Sequence, residues 1–179
     1  MSQVKVTFPE MTRSQRRCLA ASRRFNLVVG GEKSGKTTLG IEVLLSRGAM
    51  VSKRPVAWFA ATVEDMIAVR RRVIQIIEPL VKRRASSRRL ELRSGGAIDF
   101  YALEDGPQES FEAYGLVVVD DARKIAGLLD FWEDVLRPIM LQSGGEAWLL
   151  SGAYGQRNDF YHLWLLAQSD ADWSRSVIT

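Results

Sequence analysis

Residues 25–38 read Phe25-Asn26-Leu27-Val28-Val29-Gly30-Gly31-Glu32-Lys33-Ser34-Gly35-Lys36-Thr37-Thr38. The opening FNLVV is a short apolar run that enters a glycine-rich turn, so it reads as a buried strand from Phe25 to Val29. Gly30 to Thr37 then satisfies every fixed position of G-x-x-x-x-G-K-[ST]. Helical spacing resumes from Gly35 to Arg47, with Leu39, Val43 and Leu44 on one face. Strand, glycine loop and helix in that order form a phosphate cradle. Glycines let successive backbone N–H groups turn inward around phosphate oxygens. Lys36 carries a point charge to the β- and γ-phosphates, and Thr37 offers a hydroxyl to Mg²⁺. The helix N-terminus adds its dipole. Gly30, Gly31, Glu32, Lys33, Ser34, Gly35, Lys36, Thr37 and Thr38 are therefore the candidate nucleotide-binding residues, with ATP and Mg²⁺ as the expected cofactors. A ligand-free glycine turn is the competing reading, and the flanking strand and helix argue against it.

Outward from this loop the chain alternates strands with helices. Thr12 to Ser22 reads as a helix capped by Thr12, and Pro55 to Ala61 as a second buried strand. Val63 to Val81 carries apolar residues at three- and four-residue steps, from Met66 through Val73 to Leu80, which predicts a long amphipathic helix. Arg89 to Arg93 and Ala97 to Leu103 alternate around Ser94-Gly95-Gly96, a hairpin signal. Leu116 to Val119 is apolar on both faces, as parallel strands covered by helices are. Leu128 to Met140 is expected to be helical up to a break before Pro138. Ala147 to Leu150 is another buried strand, and Asp159 to Leu166 a closing helix. The expectation is one domain over residues 1–179: an α/β three-layer P-loop fold with a mainly parallel central sheet and an antiparallel hairpin addition.

Composition agrees with this. Of 179 residues, 46% are hydrophobic and 26% charged, enough apolar surface for a core and too much for a disordered chain. Cys18 is the single cysteine, which excludes an internal disulfide and favours a reducing compartment. No stretch approaches the roughly 18 apolar residues of a membrane span, so the expected location is cytoplasmic, without a membrane partner. With one histidine, His162, and one cysteine, a zinc site is not expected. Trp132, Trp148, Trp164 and Trp173 read as packing residues. The net charge of +4 is concentrated in Arg70-Arg71-Arg72 and in Lys82, Arg83, Arg84, Arg88, Arg89 and Arg93. Such clusters suit a polyanion, or equally a solvated helix end.

Three further features carry chemistry. Leu116-Val117-Val118-Val119-Asp120-Asp121 is an apolar strand ending in acids, the Walker B arrangement. Asp120 then binds Mg²⁺ and Asp121 orients the attacking water; a helix cap or solvated turn is the alternative. Ser151-Gly152-Ala153 follows a buried strand, where α/β sheets bind ligands, although small residues there also make ordinary turns. The Gln15 amide matches the donor and acceptor edges of adenine, unless it is simply an exposed helical glutamine.

In their order, these pieces resemble the N-terminal ATPase domain of the phage terminase large subunit, the motor that pumps DNA into procapsids. The segments that carry the resemblance are MTRSQRRCLAASRRFNLVVGGEKSGKTT, PVAWFAATVEDMIAVRRRV, LRSGGAIDFYALED, LVVVDDA and FWEDVLRPIMLQSGGEAWLLSGAYGQRNDFYHLW, from about Phe8 to Trp173. The resemblance implies that Gln15 contacts adenine, that Lys36 and Asp121 are catalytic, that Thr37 and Asp120 hold Mg²⁺, and that Ser151-Gly152-Ala153 couples hydrolysis to movement. It also implies double-stranded DNA, a portal and a small terminase subunit as partners, a homo-oligomeric ring, and the host cytoplasm as location. Three departures stand out. Asp121 occupies the place of the family's usual Glu, Glu32-Lys33 the place of a loop arginine, and Glu109 to Gly115 lacks the arginine of an Arg-Gly pair. A shorter acid predicts slow hydrolysis, or a nucleotide-dependent assembly switch. Arg70 to Arg72, Arg123 and Arg157 are the candidates for stabilising the transition state. The family's second, nuclease domain has no counterpart in these residues, so no cleavage activity is expected. A small-molecule kinase is a third reading, with Arg83, Arg84, Arg88 and Arg89 imitating a lid.

Overall fold

The computed structural model describes residues 4–106, 111–153 and 158–179. Its centre is an eight-stranded sheet. The strands are β1 (Phe25–Gly30), β2 (Val56–Ala60), β3 (Val81–Arg84), β4 (Arg89–Leu92), β5 (Ala97–Ala102), β6 (Leu116–Val119), β7 (Glu146–Gly152) and β8 (Trp173–Ile178). They lie in the order β3-β4-β5-β2-β6-β7-β1-β8. The run from β5 to β8 is parallel throughout, and β4 pairs antiparallel with both β5 and β3.

Alternation along the strands divides the core. Val28, Trp58, Phe100, Val118, Trp148 and Leu150 face one side, under helices α1 (Arg13–Ala20), α2 (Lys36–Val43) and α3 (Val63–Ile77). Leu27, Phe59, Val117, Val119 and Leu149 face the other, under α4 (Leu128–Asp130), α5 (Arg137–Ser143) and α6 (Asp159–Leu166). Both faces of the central parallel strands β1, β2, β6 and β7 are dry, which explains why these strands read as apolar runs. The expected three layers and mainly parallel sheet are therefore present. Trp132 and Trp148 are fully buried, and Trp132 and Trp173 pack edge-on, their ring centres 4.9 Å apart, as packing residues do.

Side-chain caps start several helices. Thr12 Oγ1 accepts the Gln15 N–H at 3.2 Å while Gln15 Oε1 accepts the Thr12 N–H at 2.7 Å, a reciprocal capping box. Thr62 and Asn158 cap α3 and α6 by one side-chain bond each, accepting the N–H of Asp65 and of Tyr161.

Four boundaries differ from the sequence expectation. α3 ends at Ile77 rather than Val81, because Pro79 follows and disfavours helix in the residue before it. Val81 instead opens β3, so Lys82, Arg83 and Arg84 lie on an edge strand and not on a helix end. Charge on such an edge opposes strand addition by another chain. The helix after Gly127 passes through Pro138: a widened turn at Phe131–Leu136 shifts the hydrogen-bond register, and the proline begins the next regular turn. A similar wide turn, Leu44–Ala49, prolongs α2. Finally, residues 173–178, which carry only a weak strand pattern, form β8. Among the described residues no helix is long and apolar enough to cross a membrane.

Candidate functional site

The sheet order builds the site. β7 lies between β1, which leads into the glycine loop, and β6, which ends at Asp120. The carboxyl ends of all three strands therefore open on one edge, where parallel sheets bind ligands. The loop bends there through two left-handed residues, Lys33 (φ 58°) and Gly35 (φ 87°), and Gly35 immediately precedes α2. A side chain at Gly35 would meet both that strain and the Gln15 amide.

A cleft of about 390 Å³ opens at this edge, lined by Glu32, Lys36, Thr37, Asp120, Asp121, Arg123, Lys124 and Gly152, with Asp65, Val69 and Arg72 of α3 opposite. Thr37 Oγ1 donates to Asp120 Oδ2 at 2.9 Å, and the Asp121 N–H donates to Asp120 Oδ1 at 2.9 Å. Lys36 Nζ folds onto the loop, donating to the carbonyls of Gly30 (2.9 Å) and Gly31 (2.6 Å). Burial pushes the Asp120 carboxyl pKa up, against the hydrogen bonds from Thr37 and the Asp121 amide, which favour the ionised form. Burial likewise lowers the Lys36 pKa, opposed by the charges of Asp120 and Asp121. A buried acid beside a threonine hydroxyl is a hard oxygen pair of the kind Mg²⁺ takes when it bridges protein to phosphate. The two residues fit that ion; among the described residues no group of three or more acids, histidines or cysteines could hold a metal.

Asp121 adopts a left-handed conformation (φ 47°, ψ 44°), which turns its carboxylate back into the cleft. Arg123 Nε and Lys124 Nζ hold its two oxygens at 3.3 and 2.5 Å. Ser151 is fully buried, and Gly152 lies against the Arg123 guanidinium. Ala153 is exposed and does not line the cleft. Gln15 is neither exposed nor distant: it is 2% accessible, and its Nε2 donates to the Gly35 carbonyl at 2.9 Å. Of the arginines expected to serve the phosphates, Arg72 lines the cleft and bonds Thr38 Oγ1 at 3.0 Å, whereas Arg70 turns to the Ser86 carbonyl. Arg157 lies outside the described residues. Lys124 and Asp65 were not foreseen; their one signal was a position a few residues beyond a strand's carboxyl end.

The fold and this edge have the P-loop arrangement, with the glycine loop and the acidic strand end on either side of an intervening strand. No protein-family model matches the chain, and no curated protein matches its sequence. Solved structures do. The ATPase domain of the Thermus phage P74-26 large terminase aligns with 94% of this chain and 80% of its own, at a TM-score of 0.74 and 15% identity. The bacteriophage HK97 large terminase gives a TM-score of 0.79 at 15% identity, over 94% of this chain and 39% of its own. The large terminase of a thermophilic bacteriophage, in complex with ATP-γ-S, gives 0.66 at 13% identity, over 95% of this chain and 45% of its own. The fold is thus the one found in the ATPase domain of phage large terminases.

Proposed function

We propose that this domain binds ATP with Mg²⁺ and hydrolyses it to drive double-stranded DNA movement, as a packaging motor does. The observation that carries the reading is the Thr37–Asp120 hydrogen bond, which joins the phosphate loop to the acidic strand end in one cleft. Lys36 leaves the Gly30 and Gly31 carbonyls for the β- and γ-phosphates, exchanging two neutral acceptors for charged ones. Thr37 and Asp120 would hold Mg²⁺, which supplies charge neutralisation on the phosphate oxygens. Asp121 accepts a hydrogen bond from the attacking water and takes its proton. The water oxygen bonds to the γ-phosphorus as the bond to the bridging oxygen breaks, and that electron pair leaves on ADP. Asp121 is one methylene shorter than Glu, so the expected turnover is slow.

The likeness to terminase ATPase domains supports DNA as the partner class, with a portal, a small terminase subunit and a homo-oligomeric ring as the assembly. The exposed arginines of α3 and of the β3–β4 edge supply phosphate contacts. The test is steady-state ATP hydrolysis with Mg²⁺, with and without double-stranded DNA, beside Lys36→Ala. Turnover that DNA stimulates and Lys36→Ala abolishes is the expected result. Tight nucleotide binding with no turnover, in wild type and in Asp121→Glu alike, would replace the motor by a nucleotide-dependent assembly module.

A further inference from the structure

Arg123 stands two residues after Asp121 and touches two parts of the site at once. Its Nε holds Asp121 Oδ1 at 3.3 Å, while Lys124 Nζ occupies Oδ2 at 2.5 Å. On its other side the guanidinium lies against Gly152. A Cβ added there would fall 2.7 Å from Arg123 Cζ and 2.8 Å from Nη1, so only glycine leaves room for this pose. Gly152 is in turn the register partner of Gly30, the first residue of the phosphate loop. The guanidinium therefore rests one strand from the loop, in the cleft that Lys36 and Thr37 also line. Arg72, the other arginine of that cleft, is bound to Thr38 at 3.0 Å and comes from α3.

The consequence is chemical. With both oxygens of Asp121 held by cations, the carboxylate has weakened acceptor power toward a water. A γ-phosphate carries more charge than one carboxylate and offers three oxygens to a planar fork, so a guanidinium within reach prefers it. We propose, resting on the ATPase reading above, that Arg123 contacts the γ-phosphate of a bound nucleoside triphosphate, and that in doing so it leaves both Asp121 and Gly152. Arrival of the γ-phosphate then frees Oδ1 of Asp121 to orient water, with Lys124 still on Oδ2, and uncovers the end of β7. This places a γ-phosphate cation in the same chain and makes Gly152 the seat on which it rests.

The experiment measures the affinities of ATP-γ-S and ADP, by displacement of a fluorescent ADP analogue, for wild type, Arg123→Ala, Arg123→Lys and Gly152→Ala, with melting temperatures to verify folding. Wild type should prefer ATP-γ-S. Arg123→Ala should weaken ATP-γ-S by roughly ten- to a hundred-fold, the worth of a charged hydrogen bond, and leave ADP unchanged. Arg123→Lys should fall between them. Gly152→Ala evicts the guanidinium from its resting seat, so ATP-γ-S should bind more tightly than in wild type and ADP equally. Equal losses for both nucleotides in Arg123→Ala, or an undiminished triphosphate preference, would overturn the proposal while leaving the ATPase reading intact. A wild type that binds neither nucleotide would overturn both.

Discussion

Replacing Thr37 by Val removes one hydroxyl and keeps the branched shape of the side chain. That hydroxyl is one of two donors to the Asp120 carboxylate, the other being the Asp121 N–H. Loss of a hydrogen bond to a charged acceptor costs about 1.5–3 kcal/mol. For a domain of this length that corresponds to a melting temperature lower by roughly 3–12 °C, since each kcal/mol moves it about 2–4 °C. The same change removes one of the two groups expected to hold Mg²⁺. Thr37→Val should therefore show a second effect that stability does not explain: its affinity for ATP-γ-S should lose most of its dependence on Mg²⁺. Thr37→Ser, which keeps the hydroxyl, should restore both properties to near wild type. The assays are thermal unfolding by circular dichroism and nucleotide titration across a Mg²⁺ series. A Thr37→Val protein that is destabilised yet keeps the wild-type Mg²⁺ dependence would refute the reasoning, because it would confine Thr37 to a structural part.

Other substitutions probe the remaining links. Asp121→Glu should raise the turnover number in steady-state assays, because the longer side chain returns the carboxylate toward the water; an unchanged or lower rate would deny Asp121 that role. Tyr114→Phe removes a hydroxyl that donates to buried Asp99 at 3.0 Å and lies 2.7 Å from the Tyr101 hydroxyl, and should cost about 1.5–3 kcal/mol in denaturant unfolding. Burial raises the Asp99 pKa more than the Arg89 charge and the Tyr114 hydrogen bond lower it. The protonated acid is thus favoured on folding. The stability this contributes is complete below the ordinary carboxylate pKa and is lost as pH rises through the raised one, so the stability difference between wild type and Asp99→Asn should fall over that interval. Gly40→Ala would bring a methyl within 2.7 Å of Leu150 Cδ1 and 2.9 Å of the Trp58 ring. The overpacking, about 1–3 kcal/mol, should outweigh the helix-propensity gain of about 1 kcal/mol and lower the melting temperature.

Much of the fold was legible because its signals are local. FNLVV, PVAWFAA, LVVV and AWLL are short, mostly apolar runs, the pattern of strands whose sheet is covered by helices on both faces. What was missed needed distant partners. WSRSVI alternates Trp173, Arg175 and Val177 with Ser174, Ser176 and Ile178, a weak strand signal that becomes β8 only by pairing along β1. Val81 continues the apolar spacing of α3, yet it pairs with Leu92 across the hairpin edge. Pro138 is a helix breaker by its chemistry, and the wide turn before it is a tertiary accommodation.

The site divides in the same way. The loop from Gly30 to Thr37 and the acids after LVVV could be read directly, since each answers to short-range rules: glycines where the backbone must bend inward, a lysine and a hydroxyl at fixed steps, acids at a strand end. Their meeting could not. Thr37 and Asp120 are 83 residues apart, and only the insertion of β7 between β1 and β6 brings them to 2.9 Å. Gln15 could be exposed or engaged on sequence alone, and packing of α1 beside the loop settles its amide on Gly35. Five arginines were equal candidates for the phosphates by charge, and sheet order puts Arg72 and Arg123 in the cleft. Local residues determine which chemistry a segment can perform. Register and strand order, set by burial of both sheet faces, decide which segments perform it together.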